Sequence, residues 1–242
     1  MNANIIETAR LTKGTGSNMR VDHIDLRVPE GCVYGFLGPN GAGKTTTLKL
    51  LLGLLKPTDG TITLFGQKMT AHNRLALLRH TGSLIESPGF YGHLTGLENL
   101  QIIAKLKKVP AGGIANVLET VRLYEQKDKK VKQYSLGMKQ RLGIAMALLG
   151  NPRVLILDEP TNGLDPAGIQ EIREFIKNLP VLRQMTVLVS SHLLSEMEQM
   201  ADMVGIINHG ALIFQGTMAA LEAQGDSLED AFLKLTGGGE SL

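Results

Sequence analysis

The fold is decided by residues 38–46, which read Gly38-Pro39-Asn40-Gly41-Ala42-Gly43-Lys44-Thr45-Thr46. They lie between an apolar run that ends at Leu37 and a helical pattern that continues to Leu54. The spacing matches G-x-x-x-x-G-K-[ST], in which glycines let the backbone wrap around a phosphate chain with its N–H groups aimed inward. The following helix adds the positive end of its dipole. This segment, the P-loop, predicts a nucleotide site with Lys44 at the β- and γ-phosphates and the Thr45 hydroxyl on Mg²⁺.

A second strand end carries two adjacent carboxylates. Residues 154–157 form a buried-type apolar run, and Asp158 and Glu159 follow it directly. Ligands of open α/β sheets bind beyond the carboxyl ends of the strands, so both side chains are expected near the P-loop. We expect Asp158 to act on Mg²⁺ through coordinated water, and Glu159 to orient and polarise the attacking water. Alone, this pattern would equally fit an ordinary strand end followed by a turn.

The rest of the chain predicts an α/β fold with a helical insertion. Residues 5–37 have β patterning, which predicts an antiparallel β portion at the N-terminus. Residues 89–150 read as the insertion, opened by a capping box of Thr95 and Glu98. We expect one domain over residues 1–236, a parallel sheet covered on both faces, and a flexible tail at 237–242. Further elements are predicted as strands at 60–65, 82–85, 185–190, 203–207 and 211–214, and as helices at 167–178, 193–200 and 228–235.

The composition excludes several classes of protein. With 242 residues, 43% of them hydrophobic, the chain can build a sizeable core. A net charge of +2 argues against a protein that coats nucleic acid, and six Phe, four Tyr and no Trp argue against a base-stacking platform. The single cysteine, Cys32, indicates a reducing compartment. Neither a membrane span nor a secretory signal is predicted, so we expect a cytoplasmic chain.

Three further motifs resemble those of the ATP-binding cassette (ABC) ATPases. The signature of that family is similar to residues 134–140, which read Tyr134-Ser135-Leu136-Gly137-Met138-Lys139-Gln140. Its D-loop resembles Asn162-Gly163-Leu164-Asp165, and its switch histidine resembles His192 in Ser190-Ser191-His192. The signature ends in Leu-Gly-Met-Lys-Gln where Ser-Gly-Gly-Gln is commoner in the family. The resemblance covers essentially the whole chain.

The resemblance implies how such a site works. ATP with Mg²⁺ would lie between the P-loop of one subunit and the signature of a second, taken to be another copy of this chain. Ser135 and Gly137, at the start of a helix, would bind the nucleotide from the second subunit, and Asp165 would lie in the adjoining D-loop. His192 would contact the γ-phosphate and the region of Glu159. Hydrolysis would remove the γ-phosphate and let the dimer reopen.

The sequence departs from the family at the adenine-stacking position. Family members usually carry an aromatic residue there, and the residue here is Thr15, with no aromatic residue before Tyr34. Loss of one stacking contact costs about 1 kcal/mol or somewhat more. We therefore expect weakened adenine affinity and poor discrimination between ATP and GTP. The alternative is that Met19 or Val21 packs against the base instead.

A second departure is Glu86, where the family normally has a glutamine that touches Mg²⁺ and the membrane partner. Glutamate accepts hydrogen bonds only and adds a charge beside the metal. One interpretation is a tolerated near-isostere. The other is a resemblance to the ATPases of bacitracin- and lantibiotic-type self-protection exporters, which often show this glutamate in a Leu-Ile-Glu-x-Pro context, as residues 84–88 do here. Related multidrug exporters share the substitution.

The resulting expectation is an ATP-hydrolysing exporter subunit at the cytoplasmic face of a bacterial membrane. A separate integral membrane permease would hold the chain there, dock near residues 86–94 and contact the peptide cargo, a lantibiotic or bacitracin-like compound. The alternatives are export of another drug, a lipid or a polymer, a soluble ABC ATPase acting on ribosomes or DNA, and a nucleotide sensor. The basic run Lys127–Lys132 reads as a solvated face, with an acidic partner or lipid headgroups as the alternative.

Overall fold

The computed structural model describes residues 3–16, 18–86, 89–225 and 227–236. The predicted flexible tail at 237–242 therefore lies outside the described residues. The strands are β1 Asn4–Thr15, β2 Asn18–Ile24, β3 Arg27–Pro29, β4 Val33–Leu37, β5 Asp59–Leu64, β6 Gln67–Lys68, β7 Thr81–Leu84, β8 Val154–Asp158, β9 Thr186–Ser191, β10 Met203–Asn208 and β11 Ala211–Thr217. The helices are α1 Lys44–Leu51, α2 Arg74–Leu78, α3 Gly96–Lys107, α4 Gly113–Thr120, α5 Leu136–Leu148, α6 Pro166–Arg183, α7 Leu194–Met200, α8 Met218–Glu222 and α9 Leu228–Thr236.

The central sheet has six strands in the order β11-β10-β4-β9-β8-β7. Strands β10, β4, β9, β8 and β7 pair in parallel, and β11 closes one edge antiparallel to β10. Because β4, β9 and β8 are neighbours, the loops that follow their carboxyl ends meet at one edge. Those loops carry the P-loop, the residues after Ser191 and the residues after Asp158.

The N-terminal strands form a second, antiparallel sheet in the order β2-β1-β5-β6, with β3 also paired to β1. The predicted strand at 60–65 belongs here, because β5 pairs with β1 in the register Glu7↔Thr63. Gly60 allows this approach: it has φ 88°, and a Cβ there would lie 2.3 Å from the Arg10 carbonyl oxygen. The predicted antiparallel β portion is confirmed for β1, β2 and β3, and β5 and β6 extend it. Residues 33–37 do not belong to it, because they form β4, which pairs in parallel with β10 and β9.

Both faces of the central sheet are buried, as the apolar strands predict. Along β8, Val154 and Ile156 pack on the face toward the antiparallel sheet and α1, whereas Leu155 and Leu157 pack on the face toward α5 and α6. All five residues of β8 are buried. The core therefore has two apolar clusters, one on each side of the central sheet.

Helices α3, α4 and α5 lie between β7 and β8 in the chain. The predicted capping box is present at α3: the Thr95 hydroxyl accepts from Glu98 N–H, and the Glu98 carboxylate accepts from Thr95 N–H. Lys107 Nζ ties α3 to the end of α5, because it donates to the carbonyls of Met146, Ala147 and Leu149. Burial lowers the pKa of the Lys107 ammonium to about 8.

Two expectations about local structure have clear outcomes. Helix α6 was predicted to end at residue 178, but it continues through Pro180 to Arg183. The buried side chains of Ile176 and Leu179 hold this last part of the helix against the core, and this packing outweighs the hydrogen bond that a proline removes.

In the basic run, Lys129, Lys130 and Lys132 are exposed, as predicted. Within the described residues, every helix is too short or too polar to cross a membrane.

Candidate nucleotide and catalytic site

The P-loop follows β4 and is held tightly by its neighbours. A Cβ at Gly38 would lie 2.2 Å from the Ile207 carbonyl oxygen, and one at Gly43 would lie 2.4 Å from the Arg20 carbonyl oxygen. Gly41 and Gly43 have φ 82° and 111°, in the region that favours glycine. Gly43 also precedes the first turn of α1, whose free N–H groups face the loop. This backbone fits a phosphate chain.

Lys44 lies over the loop rather than in solvent. Its side chain is 5% exposed, and Nζ donates to the carbonyls of Gly38 at 2.7 Å and Pro39 at 3.2 Å. The same Nζ lies 3.2 Å from Glu159 Oε1. The next residue, Thr45, donates its hydroxyl to Asp158 Oδ2 at 2.8 Å. The two predicted Mg²⁺ groups of the P-loop and β8 are therefore adjacent, and one hydroxyl with one carboxylate is a donor set that Mg²⁺ accepts beside substrate phosphates.

Ser190 joins the two carboxylate residues at the end of β8. Its hydroxyl donates to Asp158 Oδ1 at 2.6 Å and accepts from Glu159 N–H at 2.9 Å. Ser190 is fully buried and lies directly beside Asp158 in the parallel register of β8 and β9. Glu159 has φ 46°, an unusual conformation for a residue with a side chain, and this bond helps to hold it. Sequence reasoning missed this role, since only the strand order makes the two residues neighbours.

The Glu159 carboxylate lies between the side chains of Lys44 and His192. His192 Nδ1 lies 2.7 Å from Oε2, on the side opposite Lys44. Glu159 is 20% exposed and His192 is 34% exposed, so both reach a partly open surface. A carboxylate in this position can accept a proton from water, and a histidine bonded to it can fix its orientation. The structure thus brings together the predicted residues Lys44, Thr45, Asp158, Glu159 and His192.

Two cavities flank these side chains. The first, the P-loop cavity, has about 280 Å³ and is lined by Arg20, Asn40, Gly41, Gly43, Lys44, Thr45, Thr46 and Glu159. The second, the wide cleft, has about 690 Å³. It is lined by Asn40, Thr45, Glu86, Phe90, Gly92, Val131, Lys132, Leu136, Lys139, Gln140, Asp158, Glu159 and Asn162. Sequence reasoning missed Arg20, which lies 18 positions before Gly38 and meets the P-loop only because β2 packs against Gly43.

The structure shows which side chains near the expected adenine-stacking position are accessible to a base. Thr15 is exposed at the end of β1. Val21 is fully buried in the apolar cluster under the antiparallel sheet, so it is not available to pack against a base, and that alternative is wrong. Met19 is half-buried and stays available. No aromatic side chain lines the P-loop cavity among the described residues.

Glu86 reaches the expected part of the molecule but already has a partner. It lines the wide cleft together with Thr45 and Asp158. Its carboxylate is 65% exposed and accepts from Lys49 Nζ at 2.6 Å. The negative charge that glutamate introduces is therefore balanced by an ammonium of α1 in this conformation.

The three residues expected to act on a second subunit lie at the surface. Ser135 is the N-cap of α5, where its hydroxyl accepts from Met138 N–H at 3.3 Å, and Gly137 follows in the first turn. Asp165 is the N-cap of α6, where its carboxylate accepts from Gly168 N–H at 3.1 Å. These residues line neither cavity, but Leu136, between Ser135 and Gly137, is 53% exposed and lines the wide cleft. Among the described residues, Leu136, Lys139 and Gln140 of the signature thus share the wide cleft with Asn40 and Thr45 of the P-loop, whereas no residue of 134–140 lines the P-loop cavity.

Comparison with known proteins agrees with this geometry. A model of the ABC transporter family matches residues 21–162. The chain is 54% identical to a bacitracin transport ATP-binding protein, BcrA, of Bacillus licheniformis, over 86% of this chain and 68% of that protein. It is 42% identical to a lantibiotic transport ATP-binding protein, SrtF, of Streptococcus pyogenes, over 87% of this chain and 90% of that protein.

A solved structure described as the ATP-binding subunit of an ABC transporter superposes with a TM-score of 0.83. It is 28% identical and covers 96% of this chain and 99% of its own length. The family match spans most of the chain, from β2 to the loop after β8, and includes the P-loop, Asp158 and Glu159. The chain belongs to the ABC transporter family and is an ATP-binding, ATP-hydrolysing subunit of a transport system.

Proposed function

We propose that this chain powers the export of an antimicrobial peptide of the bacitracin or lantibiotic class through a separate membrane permease. The observation that carries the proposal is the similarity, over most of the chain, to two proteins named for bacitracin and lantibiotic transport. Glu86 in its Leu-Ile-Glu-Ser-Pro context supports the same class. The chain would then lie at the cytoplasmic face of a bacterial membrane, held there by the permease.

The P-loop and the end of β8 would hold ATP with Mg²⁺. The N–H groups of residues 38–46 would bind the phosphates, with Lys44 on the β- and γ-phosphates. Thr45 and Asp158, already joined at 2.8 Å, would hold Mg²⁺, which neutralises charge on the phosphates, and Glu86 would lie nearby. In this conformation Lys44 contacts Glu159, so phosphates that attract the ammonium would free that carboxylate.

Glu159 and His192 would carry out the proton transfer. Glu159 would accept a proton from the attacking water, and His192, at 2.7 Å, would hold the carboxylate in place and contact the γ-phosphate. Ser190 supports both carboxylate residues, because it bonds Asp158 and the backbone of Glu159 at once. These residues thus have separate roles in binding, proton transfer and positioning.

A second copy of the chain would complete the site. Ser135 and Gly137 lie at a helix N-terminus on the surface, where unpaired N–H groups attract phosphate oxygens, and Asp165 lies on the surface at the start of α6. Since they line neither the P-loop cavity nor the wide cleft of their own chain, they would act on the nucleotide of the partner. Closure of the two copies on each other would then depend on the γ-phosphate, and hydrolysis, which removes this phosphate, would let the dimer reopen.

The permease would dock at the mouth of the wide cleft. Glu86, Phe90 and Gly92 line this cleft, and the neighbouring Tyr91 is 55% exposed. An exposed aromatic residue beside a cleft is typical of a protein-binding surface. Movement of Glu86, which lines the same cleft as Asp158, would transmit the nucleotide state to the permease.

Resistance measurements test the proposal. The chain is co-expressed with its neighbouring permease genes in a sensitive bacterium, and bacitracin and lantibiotics are titrated against Glu159→Gln as the inactive control. Protection by the wild type, lost in the variant, supports peptide export. No protection, with expression and ATP hydrolysis both verified, would contradict the peptide cargo and favour another drug, a lipid or a polymer.

A further inference from the structure

We propose that Glu196 is a positioning residue for ATP hydrolysis, and that it fixes the loop after β8 to the end of β9. Its carboxylate Oε2 accepts from the Thr161 hydroxyl at 2.8 Å and from the Ser191 hydroxyl at 2.9 Å. We name these three residues the Glu196 clamp. The inference rests on the proposed roles of Glu159 and His192, because the clamp acts through the loops that carry them.

The Glu196 clamp is buried, so its carboxylate depends on hydrogen bonds from the protein rather than from water. Glu196 is 4% exposed, Thr161 5% and Ser191 3%. An acidic side chain is rarely buried to this extent unless its oxygens are bonded, because removing a carboxylate from water costs several kcal/mol. Hydrogen bonds to a charged group are also stronger than those between neutral groups. Glu196 therefore favours one fixed arrangement of both hydroxyls.

The clamp joins two segments on opposite sides of the catalytic carboxylate. Thr161 lies two positions after Glu159, in the loop that continues to Asp165. Ser191 lies immediately before His192, and its hydroxyl also accepts from Leu193 N–H at 3.0 Å. A shift of Ser191 would move His192 relative to Glu159, and these two residues now meet at 2.7 Å. A shift of Thr161 would move the surface that carries Asp165.

Ser190 and Ser191 perform parallel tasks on opposite faces of β9. In both cases a backbone N–H donates to a serine hydroxyl, and that hydroxyl donates to a carboxylate. Ser190 thereby holds Asp158, which lies at the site itself, whereas Ser191 holds Glu196, which lies outside both cavities. Because Glu196 lines neither cavity, we assign it to positioning and not to binding.

Steady-state kinetics of the full-length chain provide the first test. In Glu196→Ala, kcat for ATP should fall by about tenfold, while KM changes by less than about threefold. Turnover is divided by the amount of chain that binds ATP, so that lost folded protein does not count. Glu196→Gln keeps an oxygen that accepts both hydroxyls and should restore kcat to within about threefold of the wild type. Glu198→Ala, at an exposed acidic residue of the same helix, is the matched control.

A double-mutant cycle tests the connection to Thr161. Thr161→Val should lower kcat in the wild-type background and have no further effect in Glu196→Ala, because the bond is already absent. Independent effects that multiply would overturn the clamp. So would a Glu196→Ala kcat equal to that of Glu198→Ala, or a failure of Glu196→Gln to restore activity.

Hydrogen–deuterium exchange gives a readout that does not need turnover. Glu196→Ala should raise exchange about fivefold in peptides covering 159–165 and 190–194, and leave the peptide covering 38–46 unchanged. A uniform rise across the chain would mean general destabilisation and would overturn the proposal.

Glu159→Gln separates the catalytic role proposed for Glu159 from the positioning role proposed for Glu196. If Glu159→Gln keeps full turnover, the catalytic role of Glu159 fails. If Glu159→Gln is inactive and Glu196→Ala is fully active, only the Glu196 clamp is refuted.

Discussion

Replacing Ser190 by alanine tests whether the end of β8 is held by the neighbouring strand. The change removes one hydroxyl, which donates to Asp158 Oδ1 and accepts from Glu159 N–H. Both bonds lie in a region where Ser190 is fully buried, so water does not replace them. A buried group left without a partner costs about 1–3 kcal/mol, and the two groups together cost about 3 kcal/mol.

For a domain of this size, 1 kcal/mol shifts Tm by about 2–4 °C, so Ser190→Ala should lower Tm by about 6–12 °C. The activity should fall as well, since Glu159 loses the bond that helps to hold its φ of 46°. We expect kcat per folded chain to decrease by about tenfold with a smaller change in KM.

The assays are thermal unfolding followed by circular dichroism and steady-state ATP hydrolysis at saturating Mg·ATP. Ser195→Ala, at an exposed serine of α7, is the control and should leave both quantities unchanged. If Ser190→Ala has the Tm and kcat of this control, the reasoning that Ser190 supports Asp158 and Glu159 is refuted.

Two further predictions concern the nucleotide base and the cysteine. Thr15→Tyr should raise ATP affinity by about fivefold, which corresponds to about 1 kcal/mol of added stacking. Calorimetric titration with ATP and GTP measures the change. If the wild type and Thr15→Tyr bind ATP equally well, the base does not lie at Thr15. Burial raises the pKa of the Cys32 thiol from 9.0 to about 12. At about pH 8 its thiolate fraction, and hence its alkylation rate, should be about a thousandfold lower in the folded chain than in urea, and equal rates would refute the shift.

Local motifs were predictable because the chemistry they need is encoded in consecutive residues. The P-loop depends on glycines whose φ is allowed only without a side chain, as Gly41 and Gly43 show. The capping box of Thr95 and Glu98 depends only on spacing within one helical turn. Elsewhere local rules failed, since α6 passes through Pro180 under the influence of buried neighbours.

The contacts between distant residues required the tertiary structure. Glu159 and Ser190 are separated by 31 positions, Thr161 and Glu196 by 35, and Lys49 and Glu86 by 37. These groups, among them the backbone N–H of Glu159, meet only because β9 lies between β4 and β8 in the central sheet, or because α1 packs beside the loop after β7. Nothing in a list of residues fixes that order.

The sequence by itself determined the family, the nucleotide motif and the two adjacent carboxylates at the end of β8. These depend on backbone conformations and residue types that act within a few positions of one another. Only the tertiary structure decided that Ser190 supports both carboxylate residues, that Lys49 pairs with Glu86 and that Leu136 of the signature lines the wide cleft. The reason is that strand order and packing bring remote segments together, and hydrogen bonds form only between groups that are within about 3 Å.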